Sequence, residues 1–416
     1  MMGLIKTSVM NLVAVVIKMI TMLGINKVLA IYVGPSGYAA FGQFQNAIQM
    51  ITMLSSGAVN NGVVKYTSEY STDEKKQISL WKTSGTLVIT GCVFSSVMIL
   101  IFSKQLSVLF LDDINLYIVF YALGICLTFL VLNTLCLAIL NGKREIKTYV
   151  TCNIVGSILS LVFTVILSIF FELLGALIAL ASYQAVSFLV TFILTSQKSW
   201  FKISYLFGRI DRDILNKLLA FSIMSIVSAI VVPLSHMFIR DYLGNNLGWD
   251  AAGYWEASWR LSSAYLLLVS STFSVYFLPR LSELNDRLQI RRELIKGYKL
   301  IVPFVSFGAC VIYLFRVEII ELLFSESFVP MEIILPYQLI GDVIKCCSLL
   351  LGYLVLSKAM TKEYIISEVV ASLAFYGFVR FWGSTYGLEG LGYAHACTYM
   401  IHLSMMYYFV RRQGLV

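Results

Sequence analysis

The amino-acid sequence predicts an all-α integral membrane protein of about twelve transmembrane helices, which a parallel between its halves, set out below, groups as two six-helix bundles around a central cavity. Three observations predict it. The 416 residues are 59% hydrophobic with a mean hydropathy of +0.82, and only 13% are charged; soluble domains carry roughly 25% charged residues. Apolar runs of about 20 residues, enough to cross a bilayer, recur along the whole chain. The connections between them alternate between basic and cation-poor.

Taken in order, the spans fall near residues 4–33, 38–64, 84–102, 116–140, 149–171, 174–196, 215–239, 252–278, 300–324, 331–357, 364–382 and 390–410. The first apolar run continues from Leu4 to Val33 without a small-residue cleavage site, so it reads as a span and not as a cleaved signal. These spans leave no room for a sizeable soluble domain.

One set of connections is basic: Lys65 to Lys82, Asn141 to Lys147, Gln197 to Asp213, Arg280 to Lys299, Lys358 to Glu363, and the tail from Arg411. The other is short: Gly34 to Gly37, Ser103 to Asn115, the Glu172 turn, Gly244 to Asp250, Ser325 to Pro330, and Gly383 to Glu389. With Lys6 and Lys217 at its borders, the first set holds 23 of the 31 lysines and arginines, and the second holds Lys104 alone. Short loops rich in Lys and Arg stay cytoplasmic, so both termini are expected inside. The net charge of +8 then reflects topology; lipids surround the chain and no nucleic-acid partner is expected.

The basic connection leading into span seven is centred near residue 205, which divides the chain into 1–205 and 206–416. The halves resemble each other. Gly34-Pro35-Ser36-Gly37-Tyr38 parallels Gly248-Trp249-Asp250 with Gly253-Tyr254. Ser68-Glu69 parallels Ser282-Glu283, and Leu109-Phe110 parallels Leu323-Phe324 at the same offset. Two such bundles suit a transporter that rocks between access states around a midplane site.

Eight cysteines lie in apolar stretches without paired spacing and read as small buried hydrophobes. His236, His395 and His402 are scattered, so no metal site and no cofactor are expected.

The informative residues are charges inside the membrane, each costing roughly 2.5–3.5 kcal/mol at a helix centre unless it faces a cavity or a partner. Lys18 sits midway along span one, with Asn11 seven residues earlier on nearly the same face. Glu256 and Arg260 stand at i,i+4 on span eight, the spacing of a helical ion pair. Gln338, Asp342 and Lys345 form one stripe on span ten, and Arg380 lies in span eleven. Local pairing that fixes helix packing explains Glu256, Asp342 and Arg380 as well as a substrate site does. Lys27, Arg240 and Arg316 lie near outer helix ends, where long side chains snorkel to headgroups. Lys18, Arg260 and Lys345 outnumber Glu256 and Asp342, and a cationic surplus suits an anionic group such as a pyrophosphate. Trp255 and Trp259 flank Arg260, while Gln43, Gln45, Asn46, Asn60 and Asn61 lie on span two. Aromatic faces and amides suit sugars. Pro233, Pro303 and Pro336 are positioned to bend spans seven, nine and ten.

Several segments together resemble the Wzx-type polysaccharide flippases of the multidrug/oligosaccharidyl-lipid/polysaccharide exporter superfamily. They are Gly34-Pro35-Ser36-Gly37-Tyr38 with Phe44-Gln45; Gly57-Ala58-Val59-Asn60-Asn61-Gly62-Val63-Val64-Lys65-Tyr66; Ser271 to Ser282 through Pro279-Arg280; and Gln338 to Lys345 with Gly352 to Ala359. The resemblance covers nearly the whole chain and extends to flippases for O-antigen units and for the enterobacterial common antigen. It implies a bacterial inner-membrane protein that moves an undecaprenyl-pyrophosphate-linked glycan from the cytoplasmic to the periplasmic leaflet. It also implies a cationic cavity with cations on spans one and eight, positions matched by Lys18 and Arg260.

Polymerase and chain-length proteins of the same pathway would then be partners. No nucleotide-binding motif is present, so H⁺ or Na⁺ is the expected coupling ion, with Asp342 and Glu256 as titrating groups. An ion-coupled small-molecule antiporter of the same superfamily is one alternative, but it calls for an acidic or apolar cavity. A membrane glycan polymerase is the other. It needs a large outward loop for catalytic residues, and the longest here, Ser103 to Asn115, is about a dozen residues.

Overall fold

The computed structural model describes residues 2–284 and 286–415. The side chains of Lys6 and Asn11, both singled out above, lie outside the described residues. Among the described residues the regular structure is helical and no strand occurs. The α-helices are α1 Met2–Tyr32, α2 Gly34–Ser55, α3 Asn60–Glu69, α4 Glu74–Ile101, α5 Ser103–Leu111, α6 Tyr117–Gly142, α7 Ile146–Ser196, α8 Arg212–Leu247, α9 Trp249–Thr272, α10 Leu278–Glu283, α11 Arg287–Leu314, α12 Arg316–Leu323, α13 Leu335–Ser357, α14 Thr361–Tyr386 and α15 Glu389–Arg412.

Among the described residues, eight segments are long and apolar enough to cross a membrane. One of them, α7, has 51 residues. At 1.5 Å per residue it is far longer than a bilayer core of about 30 Å. It is two limbs joined at Glu172, whose backbone leaves the helical region (φ 49°, ψ −127°) where the sequence places a turn. Helices α2, α9 and α15 are also of spanning length but richer in polar residues. The protein is an all-α membrane protein.

Several expected spans prove to be broken. Span two ends at Ser55, and the chain restarts as α3 at Asn60. Ser55 and Ser56 donate their hydroxyls back to the carbonyls of Ile51 and Met53. Gly57 and Ala58 then take left-handed backbone (φ 59° and 53°), so no α-helix can continue. At the matching place in span eight the helix loosens instead into a π-turn, Phe273–Phe277. Span nine begins earlier than expected, at Arg287, and breaks at Phe315 between α11 and α12, as α4 and α5 break at Phe102. The parallel is detailed: α4 and α11 each run 28 residues. Each is capped by an aspartate, Asp73 accepting from the Lys76 N–H and Asp286 from the Gln289 N–H. Pro336 sits in the first turn of α13, not its interior. Its missing N–H is no loss there, and it bends nothing.

The chain forms two compact units. One contains the chain up to Val28 with Phe41–Pro233; the other contains Leu29–Ala40 with Leu234–Val416. In the first, α6 packs along both limbs of α7 and against α4. Polar contacts tie α4 to α3 and to the loop before α8: Gln77 donates to the Thr67 carbonyl, Trp81 to the Thr67 hydroxyl, and Thr86 to the Gly208 carbonyl. In the second, α13 and α15 pack along their length, with α14 against α15. Its core is the apolar cluster of Leu266, Phe273, Phe277, Leu294, Val305, Leu350 and Met406. Tyr38, on the Leu29–Ala40 segment, inserts edge-on between Phe324 and Phe328 of this unit.

Candidate functional site

The site is built in the second unit from α8, α9, α13 and α15. Gly248 (φ 91°) turns α8 back into α9, a conformation open to glycine alone without strain. The turn brings Arg240, sixteen residues earlier in sequence, onto Glu256. Arg240 donates from Nε (3.1 Å) and Nη2 (2.5 Å) to Glu256 Oε2, and Arg260 donates from Nε to Oε1 at 2.7 Å. All three side chains are buried. The Arg240 guanidinium also lies 5.4 Å from the Trp255 ring centroid, and that of Arg260 lies 5.4 Å from Tyr38. A buried carboxylate between two guanidinium groups stays ionised, because protonating it would strand two cations. These three residues carry one net positive charge.

The helical i,i+4 pair of Glu256 and Arg260 is therefore present. The snorkelling expected of Arg240 is not: Glu256 holds it inside at 2% exposure. Arg316 is half exposed and pairs with Glu332 at 3.3 Å.

Asp342 anchors the second cluster. Gly341 leaves no β-carbon where His395 Cδ2 packs, and Gly392 lets α15 approach the carbonyl of Ile334. Helices α13 and α15 thereby come close enough for His395 Nε2 to reach Asp342 Oδ1 at 2.9 Å. The Ser262 and Tyr265 hydroxyls each donate to Oδ2 at 2.6 Å. Gln338 donates to Ser262 and accepts from Ser258, both at 2.9 Å. The stripe of Gln338 and Asp342 thus faces α9 and α15. Among the described residues no ion pair joins Lys345 to Asp342. The Lys345 ammonium instead stands over the rings of Trp259 (4.4 Å) and Tyr399 (5.0 Å).

Trp259 links the two clusters. Its ring meets those of His236 (4.4 Å) and His395 (5.5 Å) edge-on and stacks on Phe375. The three histidines that look scattered in sequence converge in this unit. His236 packs in an aromatic box, His395 pairs with Asp342, and His402 Nδ1 lies 2.5 Å from the Ser348 hydroxyl.

The remaining sequence-selected residues lie apart from these clusters or in the other unit. Arg380 is exposed on α14 against Tyr242. In the first unit the Lys18 side chain is exposed on α1 and Lys27 is half-buried. Asn60 donates to Thr134 Oγ1 (3.2 Å), and Asn61, which is exposed, donates to Ser225 Oγ (3.1 Å). Both asparagines sit on α3, beyond the break, and not on a continuous second span. Sequence reasoning assigned Arg240 to the headgroups, read His395 as scattered, and passed over Ser262 and Tyr265. Their signal is tertiary, apart from the glycine beside Asp342, which marks a close helix approach.

Comparison with known proteins fits this architecture. The chain is 27% identical over 97% of its own length and of theirs to the lipid III flippases of Escherichia coli (strain K12) and Shigella flexneri. Among solved structures it resembles an inward-facing multidrug resistance MATE family transporter of the MOP superfamily. That likeness has a TM-score of 0.79 and 17% identity, over 95% of this chain and 94% of the other. The lipid II flippase MurJ in an inward closed conformation matches with TM-score 0.71 and 16% identity, over 98% of this chain and 87% of the other. Residues 4–285, more than half of the chain, match the model of the polysaccharide biosynthesis protein family, and the protein belongs to that family.

Proposed function

We propose that the protein is a flippase, not an enzyme. It moves an undecaprenyl-pyrophosphate-linked oligosaccharide of the O-antigen or enterobacterial common antigen type across the bacterial inner membrane, from the cytoplasmic to the periplasmic leaflet. The carrying observation is the likeness to lipid III flippases, which runs along 97% of both chains. The chemistry agrees. The head of such a lipid cannot cross the apolar core unaided, and a pyrophosphate needs charged donors inside the protein. Arg240 and Arg260 share one carboxylate, and Lys345 adds an ammonium among aromatic rings.

In this reading Lys18, Arg260 and Lys345 meet the pyrophosphate. Trp259, Gln338, Asn60 and Asn61 offer ring faces and amides to the glycan, with Lys27 and Arg380 towards the periplasmic ends. Glu256 and Asp342 hold the cations in place. The halves 1–205 and 206–416 alternate access to the two leaflets, both termini are cytoplasmic, and an H⁺ or Na⁺ gradient supplies the drive. Polymerase and chain-length proteins receive the product. The test is deletion of the gene. A lipid-linked oligosaccharide should accumulate in the inner leaflet, be identified by mass spectrometry, and disappear on complementation. A deletion strain whose lipid-linked glycans are unchanged would refute the reading.

A further inference from the structure

Among the buried groups outside the Arg–Glu–Arg cluster, His395 has an open valence. Its ring is 1% exposed, and Nε2 is engaged by Asp342. Nδ1 is buried without a hydrogen-bond partner among the described residues. Buried polar atoms are nearly always satisfied, and one left open calls for an explanation. The hydrogen-bond directions around it are set by their neighbours. Gln338 donates to Ser262, so Ser262 gives its own hydrogen to Asp342 Oδ2, and Tyr265 does the same. Oδ1 is left for His395 Nε2–H, which places the open lone pair on Nδ1.

We propose that the His395–Asp342 pair is the proton-binding site that couples this protein to the proton gradient, with His395 Nδ1 as the atom that takes the proton; the coupling role rests on the flippase reading. The balance is simple. A proton from water on one side bonds to the Nδ1 lone pair, giving an imidazolium against the Asp342 carboxylate. It leaves from the same nitrogen to water on the other side, and no other bond changes. Histidine titrates in the physiological range, and ionisable chains inside membrane proteins serve as proton relays. The pair passes from one negative charge to none, so a second cation is not repelled by the loaded site.

Other groups face this pair from each packed helix. Lys345 and Cys346 lie with Asp342 on α13 and Tyr265 on α9. Tyr399 stands 4.8 Å from the ring on α15. His236 on α8 reaches it through Trp259, and Glu368 on α14 faces Lys345. Of these charges, the Asp342 carboxylate is bonded directly to the ring. Glu256 is excluded as the proton carrier, since two arginines already occupy its oxygens. Na⁺ is less well suited, because three hydrogen-bond donors already surround the Asp342 carboxylate.

An imidazolium quenches a neighbouring indole, and Trp259 lies beside His395. Tryptophan emission of the purified full-length protein, titrated from about pH 8 to about pH 5, should therefore fall through one transition. His395→Gln should abolish that transition and His236→Gln should retain it. Asp342→Asn, which removes the carboxylate facing the imidazolium, should move the midpoint to lower pH. A transition unchanged in His395→Gln, or lost only in His236→Gln, overturns the proposal, as does an unmoved midpoint in Asp342→Asn. In proteoliposomes an acid-outside gradient should stimulate movement of lipid-linked oligosaccharide by wild type and not by His395→Gln. Equal stimulation of both overturns the proposal and leaves the flippase reading standing. A wild type that titrates but moves no glycan lipid overturns that reading and leaves the proton site standing.

Discussion

The carbonyl of Pro35 occupies the space where a β-carbon on Gly253 would stand. Both belong to the paralleled motifs Gly34-Pro35-Ser36-Gly37-Tyr38 and Gly253-Tyr254, and Tyr38 packs beside them under the Arg260 guanidinium. The two motifs therefore meet face to face within one unit, and the missing side chain is what admits the contact. Gly253→Ala should sharply lower the amount of folded protein recovered from membranes. Gly308→Ala, at a helical glycine with nothing within 4 Å of the added carbon, should not. Fluorescence-detected size-exclusion profiles compare them. Equal recovery of Gly253→Ala and wild type would show that the contact yields without cost.

Glu256 satisfies two buried guanidinium groups at once, so Glu256→Gln leaves two cations facing one neutral amide. Removing one partner of a buried pair destabilises by about 3–5 kcal/mol. Glu256→Gln should lower the melting temperature in detergent more than Arg260→Gln, which leaves the Arg240 pair intact. A larger loss in Arg260→Gln would mean that Arg240 does not hold the carboxylate.

For a pyrophosphate site, charge matters more than bulk. Lys18→Gln should reduce glycan export while the protein still accumulates, and Lys18→Arg should keep much of it, although Arg is forked and larger. Export is read from the lipid-linked oligosaccharide remaining in a deletion strain. Wild-type export by Lys18→Gln would remove Lys18 from the site.

The alternation of basic and cation-poor connections predicts the topology directly. Reporters fused after Lys75 or Arg292 should score cytoplasmic, and one after Asn246 periplasmic. The inverse pattern would dismiss both the orientation and the direction of transport that rests on it.

Glu145, in the loop before α7, accepts from Lys198 at 2.8 Å and from the Trp200 indole at 3.2 Å. The Lys198 hydrogen bond, more than any other influence, lowers its pKa below the usual carboxylate value. A lowered folded pKa stabilises the protein above the unfolded value, about 4.3 for glutamate. That gain fades as pH falls through the folded pKa. Because the pair is about a third exposed, the gain is small, about 0.2–1 kcal/mol. Glu145→Gln should melt slightly below wild type at neutral pH, and the two should converge in acid. A gap that persists in acid would show that packing, not charge, sets the difference.

Composition and the apolar runs were enough to establish a helical membrane protein and to locate its long helices. The hydrophobic run length and the polarity of the connections are local properties that lipid reads one segment at a time. The Glu172 turn and the Glu256–Arg260 spacing were equally legible, because both lie within a few residues of chain. The breaks at Gly57 and Phe315 were not, since hydropathy does not register a reversal of backbone hand or a restart within an apolar run. The polar clusters were only half visible. Asp342 and Glu256 announced themselves as charges in apolar sequence, but their partners His395 and Arg240 lie 53 and 16 residues away. Which buried charge meets which donor is set by how closely two helices approach. That distance is decided by small residues such as Gly341 and Gly392 on facing surfaces, and only the folded chain brings those surfaces together.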